Sequence, residues 1–353
     1  MHYPALLIDR IKLRENAEKL CALFSQQGKI FHAVSKCFCA WEPMLEVLAD
    51  GGIHYFADSR LENMRRLRPY SEQSLLLRLP MISEAKEVVA ACDISLNSEW
   101  DTLCALSDAA LTQGKIHGVI LMLELGDRRE GVMPEDADQL IGKIMNLRGV
   151  RLMGLGVNFN CYGGIIPDRA KMDELAELAV RTEQRYAIEL PYVSGGNSGS
   201  LYLLERGELP ARVNHLRIGE ALLLGRETSF GHRIGGLNQD VFSLQAEIIE
   251  NKRKPSLPDG QSGLNALGEK VSFVDKGLIR RVILAIGAQD LNPAGLVPQL
   301  KGVEYLGSSS DHSIFDISDV NRELRVGEPL SFRLNYAGLL AAFTSPYVHK
   351  VLV

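Results

Sequence analysis

Lys36 is the first residue whose type and position could do chemistry, because it directly follows a short apolar run at residues 30–35. A lysine at the end of a buried strand can be desolvated and become a nucleophilic amine that bonds to a carbonyl group. The alternative is that Lys36 only ends the strand and points into solvent. Both interpretations stay open on this segment alone.

A Gly- and Ser-rich run at residues 193–200 is the second candidate, and it also follows an apolar run. Its polar side chains include Ser194, Asn197 and Ser198. Glycine amides, hydroxyl groups and the start of a helix together favour an anion such as phosphate. A plain glycine-rich turn is the alternative, but the position late in an alternating chain favours a phosphate site.

Arginine supplies the next two candidates. Arg217 lies in an apolar run two residues before Gly219, where a buried guanidinium would need an acceptor and a glycine would let the backbone approach a ligand. A structural ion pair between Arg217 and Glu220 is the alternative. Arg129, in the charged loop 126–131, could bind a carboxylate with two parallel hydrogen bonds, or it could lie on a solvated loop.

These candidates must be positioned by the elements between them, and residues 30–224 alternate short apolar runs with stretches of helical spacing. Eight strand–helix units predict a TIM-like (β/α)8 barrel, in which functional residues lie at the carboxyl ends of the strands. A doubly wound sheet is the alternative, because alternation alone does not show whether the sheet closes. The predicted strands are residues 30–35, 54–57, 75–79, 94–97, 119–125, 152–158, 191–194 and 216–224.

After about residue 231 the sequence changes to short strands separated by Gly, Pro, Asn and Asp, with no long helical stretch. The fold class is therefore predicted to be α/β, with a barrel at residues 9–230 and a mainly β C-terminal domain at residues 231–353. Residues 1–8 could join the second domain. A length of 353 residues supports two domains, because one hydrophobic core stops growing at about 250–300 residues.

Composition limits the partners of this chain. Lys and Arg number 39 against 44 Asp and Glu, which gives a net charge of −5 and no basic field for nucleic acid or an anionic membrane. No apolar run approaches the roughly 20 residues that span a bilayer. The N-terminus does not resemble a signal peptide, and the six cysteines lack zinc-site spacing. We predict a cytoplasmic protein that binds a small molecule and has no metal site.

Taken in order, these segments resemble the alanine racemase family of fold-type III enzymes that depend on pyridoxal 5′-phosphate (PLP), and within it the ornithine (alanine/ornithine) racemase branch. The resemblance covers essentially the whole chain and includes residues 193–198, 217–225, 309–316 and 335–348. Each motif is weak alone, whereas the ordered set is specific. The resemblance implies a racemase that interconverts L- and D-amino acids, with ornithine or a related basic amino acid as substrate.

The resemblance also implies a role for each matching residue. Lys36 would hold PLP covalently, Arg217 would face the pyridine nitrogen, and Tyr336 would close the phosphate site from the β domain. Arg129 and Asp311 would lie near the substrate. The further cofactor contacts are Asn158, Ser194, Asn197, Ser198 and Gly219, and the candidate acceptors for a distal ammonium group are Asp290, Asp311 and Glu130.

One departure from the family pattern concerns the second base. Ala288 stands where the family keeps a catalytic tyrosine, yet racemisation needs an acid–base group on the face of the substrate opposite Lys36. His312 is our hypothesis, because histidine is the side chain whose ordinary pKa lies nearest neutral pH. Cys161 and Tyr162 are the alternatives, and His312 could instead be a turn residue.

Other functions remain open. A fold-type III decarboxylase would place a carboxylate at the pyridine nitrogen and a cysteine in the β domain; this chain has Arg217 and no cysteine after Cys161, although Glu220 keeps that alternative alive. A racemase acting on alanine, serine or lysine, a non-catalytic PLP carrier, and a metal-assisted aldolase that uses Asp311 and His312 are the others. The racemase arrangement implies a head-to-tail homodimer, with the β domain of one subunit at the barrel mouth of the other.

Overall fold

A computed structural model describes residues 1–265, 268, 270–292 and 295–353. The chain divides into two compact units. The barrel unit comprises Ile11–Gln239, and the β unit comprises Met1–Arg10 together with Asp240–Val353.

The barrel unit contains a closed barrel of eight parallel strands, which confirms the predicted fold class and excludes the open doubly wound sheet. Strand β6 is buried along its whole length, as expected where helices cover a parallel sheet. The barrel strands are β2 (Ile30–Val34), β3 (Tyr55–Asp58), β4 (Gln73–Leu76), β5 (Ile94–Asn97), β6 (His117–Leu123), β7 (Val150–Val157), β8 (Tyr192–Ser194) and β9 (His215–Ile218).

Helices connect the barrel strands and bury their apolar faces. The longest, α7, begins after Asp168, whose side chain accepts a hydrogen bond from the Lys171 amide and so caps the helix. The helices of this unit are α1 (Arg10–Gln26), α2 (Glu42–Asp50), α3 (Leu61–Leu67), α4 (Ala85–Ala91), α5 (Trp100–Thr112), α6 (Pro134–Ile144), α7 (Arg169–Tyr186), α8 (Leu201–Glu205) and α9 (Glu220–Leu224).

The last predicted barrel strand, residues 216–224, is wrong in its second half. Strand β9 ends at Ile218, and α9 follows directly after Gly219. All four residues Ala221–Leu224 are buried. A short, fully apolar run has no periodicity that separates a buried strand from a buried helix, so the sequence could not show this change.

The β unit is an eight-stranded sheet with the strand order β12-β15-β10-β11-β14-β13, and β1 joins it by pairing with β10 and β16. Nearly all of its pairs are antiparallel; β1 with β16 is parallel. Its strands are β1 (Ala5–Ile8), β10 (Phe242–Pro255), β11 (Leu278–Leu284), β12 (Leu296–Pro298), β13 (Glu304–Ser308), β14 (Ser313–Asp316), β15 (Pro329–Leu334) and β16 (His349–Leu352).

Two features of this organisation differ from the expectation. Residues 231–239 lie in the barrel unit, where Ile234 and Leu237 are buried and the Ile234 amide donates to the Gly225 carbonyl at 3.0 Å. The β unit also contains a helix, α10 (Tyr336–Thr344), which begins after an Asn335 cap. Across the described residues, no helix is long and apolar enough to cross a membrane.

The packing of β7 against β8 can be tested by a substitution at Gly154, where an added Cβ would lie 2.0 Å from the Tyr192 carbonyl oxygen. We expect Gly154→Ala to lower the free energy of unfolding by about 3 kcal/mol, since backbone cannot move aside as a side chain can. Gly235→Ala is the control, because its Cβ would meet only the Glu205 carboxylate, at 3.5 Å. Urea unfolding measures both variants, and equal stabilities would contradict the expectation.

Candidate active site

Lys36 lies immediately beyond the carboxyl end of β2, in a single 3₁₀ turn that spans Lys36–Phe38. Its side chain is exposed, whereas the preceding Ser35 is fully buried. The turn is followed by two residues in the left-handed region, Cys39 with φ 53° and Ala40 with φ 46°. Non-glycine residues rarely adopt this conformation, so the surrounding structure must hold the turn in place.

A buried carboxylate, Asp58 at the end of β3, anchors this turn. Its Oδ2 accepts a hydrogen bond from Ser35 Oγ at 2.5 Å, and its Oδ1 accepts from Asn63 Nδ2 and from the amides of Ser59 and Arg60. Burial raises the pKa of Asp58, and the hydrogen bonds oppose that rise. Asp58 therefore fixes the residue next to Lys36 to the neighbouring strand.

Arg217 points into the barrel interior from β9 and is only 4% exposed. Its guanidinium donates to Ser194 Oγ at 2.5 Å, to the Val157 carbonyl at 2.9 Å and to Asn158 Oδ1 at 3.4 Å. Burial lowers the pKa of Arg217 to about 10, so the group remains charged at neutral pH.

The alternative ion pair between Arg217 and Glu220 is wrong. Glu220 Oε1 accepts from Arg226 Nε at 3.1 Å, and the acceptors of Arg217 are neutral oxygens. Burial raises the pKa of Glu220, and Arg226 acts against that rise. The guanidinium of Arg217 therefore keeps its charge at the barrel interior without a carboxylate partner among the described residues.

Asn158, which directly follows β7, connects three of the predicted residues. Its Oδ1 accepts from Arg217, from Asn197 Nδ2 at 3.3 Å and from the Cys161 thiol at 3.6 Å. Asn158 Nδ2 is buried and has no hydrogen-bond partner among the described residues. A buried donor without an acceptor is costly, so this amide fits a site that receives a polar group.

The Gly- and Ser-rich run forms a cap between two short helical segments. Asn197 caps a 3₁₀ turn at Ser198–Ser200, where its Oδ1 accepts from the Gly199 amide at 2.8 Å. Ser198 Oγ accepts from the amides of Gly219 and Ala221 at 3.3 and 3.2 Å. The N-terminal ends of this turn and of α9 thus meet at the carboxyl ends of β8 and β9, the last two barrel strands, where barrels of this kind frequently bind a phosphate.

Arg129 lies in the loop after β6 and pairs with the neighbouring Glu130. This hydrogen-bonded pair raises the pKa of Arg129. The same loop contains Asp127, which is buried and accepts from the amides of Tyr162 and Gly163 at 3.2 and 3.0 Å. Asp127 therefore ties the loop that carries Arg129 to the loop that carries Cys161.

The β unit brings two further predicted residues together. His312 Nδ1 lies 2.8 Å from Asp311 Oδ1, and both side chains are exposed. The hydrogen bond with His312 lowers the pKa of Asp311. The amides of Ala288 and Gln289 donate to the carbonyls of Ser309 and Ser310, so this turn packs directly against the loop that holds the pair.

Asp290 and Tyr336 are placed differently within the β unit. Asp290 is buried, and its carboxylate accepts from Ser345 Oγ at 2.8 Å and from the Gly287 amide at 3.4 Å. Tyr336 is the first residue of α10. The burial and the two hydrogen bonds of Asp290 indicate a structural role, whereas the side chain of Asp311 is exposed.

Sequence reasoning missed the residues that support the site. Asp58, Asp127, His32 and His215 are all buried and hydrogen-bonded to site residues or to their loops. The two histidines lie in apolar strands, and a polar residue within such a run was the available signal. Their partners come from strands distant in sequence, so the contacts themselves could not be read from spacing.

A closed barrel of eight parallel strands joined to a mainly antiparallel β unit is the fold of alanine racemases. Residues 8–227 match the alanine racemase N-terminal domain. The chain therefore belongs to the alanine racemase family, as the sequence predicted.

Two curated relatives match over nearly the whole chain, and both are racemases. Ornithine racemase of Acetoanaerobium sticklandii is 45% identical over 352 residues, which cover 99% of this chain and 100% of the relative. Lysine racemase of Thermotoga maritima is 40% identical over 353 residues, which cover 99% of each chain. The predicted racemase class agrees with both relatives.

Solved structures agree on the fold. Alanine racemase from Streptomyces lavendulae has a TM-score of 0.76 at 17% identity and covers 99% of this chain and 96% of its own. Alanine racemase from Bartonella henselae, a structure with covalently bound pyridoxal phosphate, has a TM-score of 0.74 at 16% identity and covers 99% of each chain. At these identities the likeness concerns the fold alone.

Asp58 provides the test of how the Lys36 turn is held. We expect Asp58→Ala to lower the free energy of unfolding by about 3 kcal/mol, because it leaves the buried Asn63 side-chain amide and the backbone amides of Ser59 and Arg60 without their acceptor. Asp93→Ala is the control: Asp93 likewise accepts from a serine, Ser74, but is exposed. Its loss should cost about 1 kcal/mol. If chemical denaturation shows the same loss of unfolding free energy for both variants, Asp58 does not stabilise the Lys36 turn more than an exposed carboxylate would.

Proposed function

We propose that this protein is a PLP-dependent amino-acid racemase whose substrate is ornithine. The observation that carries the proposal is the 45% identity with ornithine racemase over 99% of the chain. The 40% identity with lysine racemase supports a basic amino acid more generally. The buried Arg217, which has no carboxylate partner among the described residues, favours a racemase over the decarboxylase alternative.

The residues that would hold PLP lie at one end of the barrel. Lys36 would bind the cofactor covalently through Nζ, Arg217 would donate to its ring nitrogen, and the segments around Ser198 and Gly219 would receive its phosphate. PLP, when bound, draws electrons from Cα of an amino acid and makes the Cα proton acidic. Asn158, Ser194 and Asn197 complete this set in the barrel unit, and Tyr336 is the contact that we assign to the β unit.

The chain itself must move the Cα proton. Lys36 Nζ would take or return that proton on one face. We assign the opposite face to His312, whose imidazole is held by Asp311 at 2.8 Å. Cys161 is the alternative, since its Sγ lies 3.5 Å from Asn197 Nδ2 within the barrel site.

Recognition of the substrate would use two charged ends. Arg129 would bind the α-carboxylate, for which it must share its guanidinium with Glu130 or release it. Asp311 would accept the distal ammonium group of ornithine, because its side chain is exposed, whereas Asp290 is buried. We therefore favour Asp311 over Asp290 for this role.

We also propose a head-to-tail homodimer in the cytoplasm. Residues 9–230 would supply the PLP-binding barrel, and residues 231–353 of the partner subunit would supply Asp311, His312 and Tyr336. The covering of each barrel mouth by a second subunit would exclude water from the site, which strengthens its electrostatic interactions.

The substrate is tested by incubating the purified protein and PLP with single L-amino acids and following the D-enantiomer by chiral chromatography. We expect L-ornithine to give the highest kcat/KM, with L-lysine next, because both have a distal ammonium group. L-Alanine should be lower by about 100-fold or more, since it lacks the distal ammonium group that Asp311 would bind. Faster turnover of alanine than of ornithine would contradict the assignment.

The second base is tested by deuterium exchange at Cα in ²H₂O, measured separately from each enantiomer. We expect His312→Ala to reduce racemisation by about 10²–10⁴-fold, while Lys36 still exchanges the proton of one enantiomer without inversion. Cys161→Ala should retain both activities. The reverse pattern would assign the role to Cys161, and normal racemisation by both variants would exclude the two residues.

The composite dimer is tested by mixing two inactive variants, Lys36→Ala and His312→Ala, and refolding them together. If His312 acts in the partner's site, each mixed dimer has one intact site, and about a quarter of the wild-type activity returns. If both residues act within one subunit, every site keeps a lesion. A mixture no more active than its parents would contradict the proposed dimer.

A further inference from the structure

Three buried polar side chains lead away from Arg217 inside the barrel. Ser194 Oγ accepts from the Arg217 guanidinium at 2.5 Å and lies 2.9 Å from His215 Nδ1. His215 Nε2 lies 2.8 Å from His32 Nδ1. Ser194, His215 and His32 are each 0% exposed. The three come from β8, β9 and β2, so the row crosses the line where the barrel closes.

Arginine sets the direction of every hydrogen bond in this row. A guanidinium is only a donor, so Ser194 Oγ must accept from it. The Ser194 hydroxyl then needs an acceptor, and the other polar atom within hydrogen-bond distance among the described residues is His215 Nδ1. His215 therefore carries its proton on Nε2 and donates it to His32 Nδ1. His32 in turn carries its proton on Nε2, an atom that has no hydrogen-bond partner among the described residues in either direction of the row.

The opposite direction leaves a buried hydroxyl unsatisfied. If His215 donated from Nδ1, Ser194 would accept from both neighbours and its own proton would face no acceptor. Burial and the nearby Arg217 charge both lower the pKa of His215. Burial likewise lowers the pKa of His32 to about 3, although the Gln73 backbone opposes the change. Both rings are therefore neutral at pH 7, and a neutral ring has a single N–H group to place.

We propose that Ser194, His215 and His32 form a one-way hydrogen-bond chain, with both histidines as Nε2–H tautomers, that positions the Arg217 guanidinium. The serine donates to a neutral imidazole, and this makes its oxygen a better acceptor for the guanidinium. Ser194 and His215 are thus positioning residues for Arg217, and His32 fixes the tautomer of His215.

The consequence for the cofactor rests on the proposed function. Three hydrogen bonds occupy three of the five N–H groups of Arg217. A ring nitrogen with a lone pair would accept from one of the remaining groups. His215 accepts from Ser194, and Ser194 accepts from the Arg217 guanidinium. Loss of the acceptor at His215 should therefore make the position of Arg217 less fixed and weaken cofactor binding.

Neutron diffraction from crystals of the perdeuterated holoprotein tests the chain directly. We expect deuterium on Nε2 and not on Nδ1 of both histidines, with the Ser194 hydroxyl directed at His215 Nδ1. Deuterium on Nδ1 of His215, or on both nitrogens of either ring, would overturn the proposal. This measurement needs no activity and no variant that must fold.

Substitutions at His215 test its effect on the cofactor. Asparagine places an oxygen where Nδ1 was, so His215→Asn should keep the acceptor for Ser194 and bind PLP within about 3-fold of the wild type. His215→Leu removes the acceptor and should weaken PLP binding by about 10–100-fold. Absorbance titration of the cofactor-depleted protein measures both constants.

His117→Leu is the matched control, because the chain contains a second buried pair of the same kind. His117 Nε2 lies 2.8 Å from Ser95 Oγ, and His117 is 3% exposed. This variant should lose comparable thermal stability yet bind PLP as the wild type does. Equal weakening in His117→Leu and His215→Leu would overturn the proposal. A wild type that binds no PLP would defeat the proposed function, while neutron diffraction from the protein without PLP would still decide the direction of the hydrogen bonds from Ser194 to His32.

Discussion

The pairing of β2 with β9 is the constraint on which the rest of the site depends. These are the first and last strands of the barrel, and in an open sheet they would lie at distant edges. Closure of the barrel makes His32 and Arg217 direct cross-strand neighbours. It also brings the end of β2 beside Gly219: a Cβ added at Gly219 would lie 3.3 Å from the Cβ of Val34. Lys36, Arg217 and the Gly- and Ser-rich run, far apart in sequence, therefore lie at the carboxyl ends of neighbouring barrel strands.

The buried guanidinium of Arg217 is the second constraint, because it requires hydrogen-bond acceptors inside the barrel. Arg217 is accommodated because serine, asparagine and backbone oxygens accept its hydrogen bonds, and removal of such acceptors from a buried charge is strongly destabilising. The same oxygens connect outward, through Asn158 to Asn197 and Cys161 and through Ser194 to His215 and His32. Asp58 and Asp127 perform the equivalent task for the turn and loops around them, so buried carboxylates fix the backbone while neutral groups surround the charge.

Much of the fold could be predicted because it depends on local pattern: eight apolar runs alternating with helical segments indicate eight barrel strands. The end of β9 and helix α10 were missed because short apolar runs carry no distinguishing period. In the site, Lys36, Arg217 and the run 193–200 were found because strand ends and glycines mark them. The Glu220–Arg226 pair and the Ser194–His215–His32 chain depend on side-chain distances between elements, which spacing does not encode.

We propose above all that Lys36 would hold the cofactor at the carboxyl ends of the barrel strands. The direct measurement is borohydride reduction of the purified protein, which makes a lysine–PLP bond permanent, followed by proteolysis and mass spectrometry of the peptides. The account predicts the phosphopyridoxyl group on the peptide that contains Lys36 and its absence from the other lysines. An unmodified Lys36, or a label on a different lysine, would contradict it.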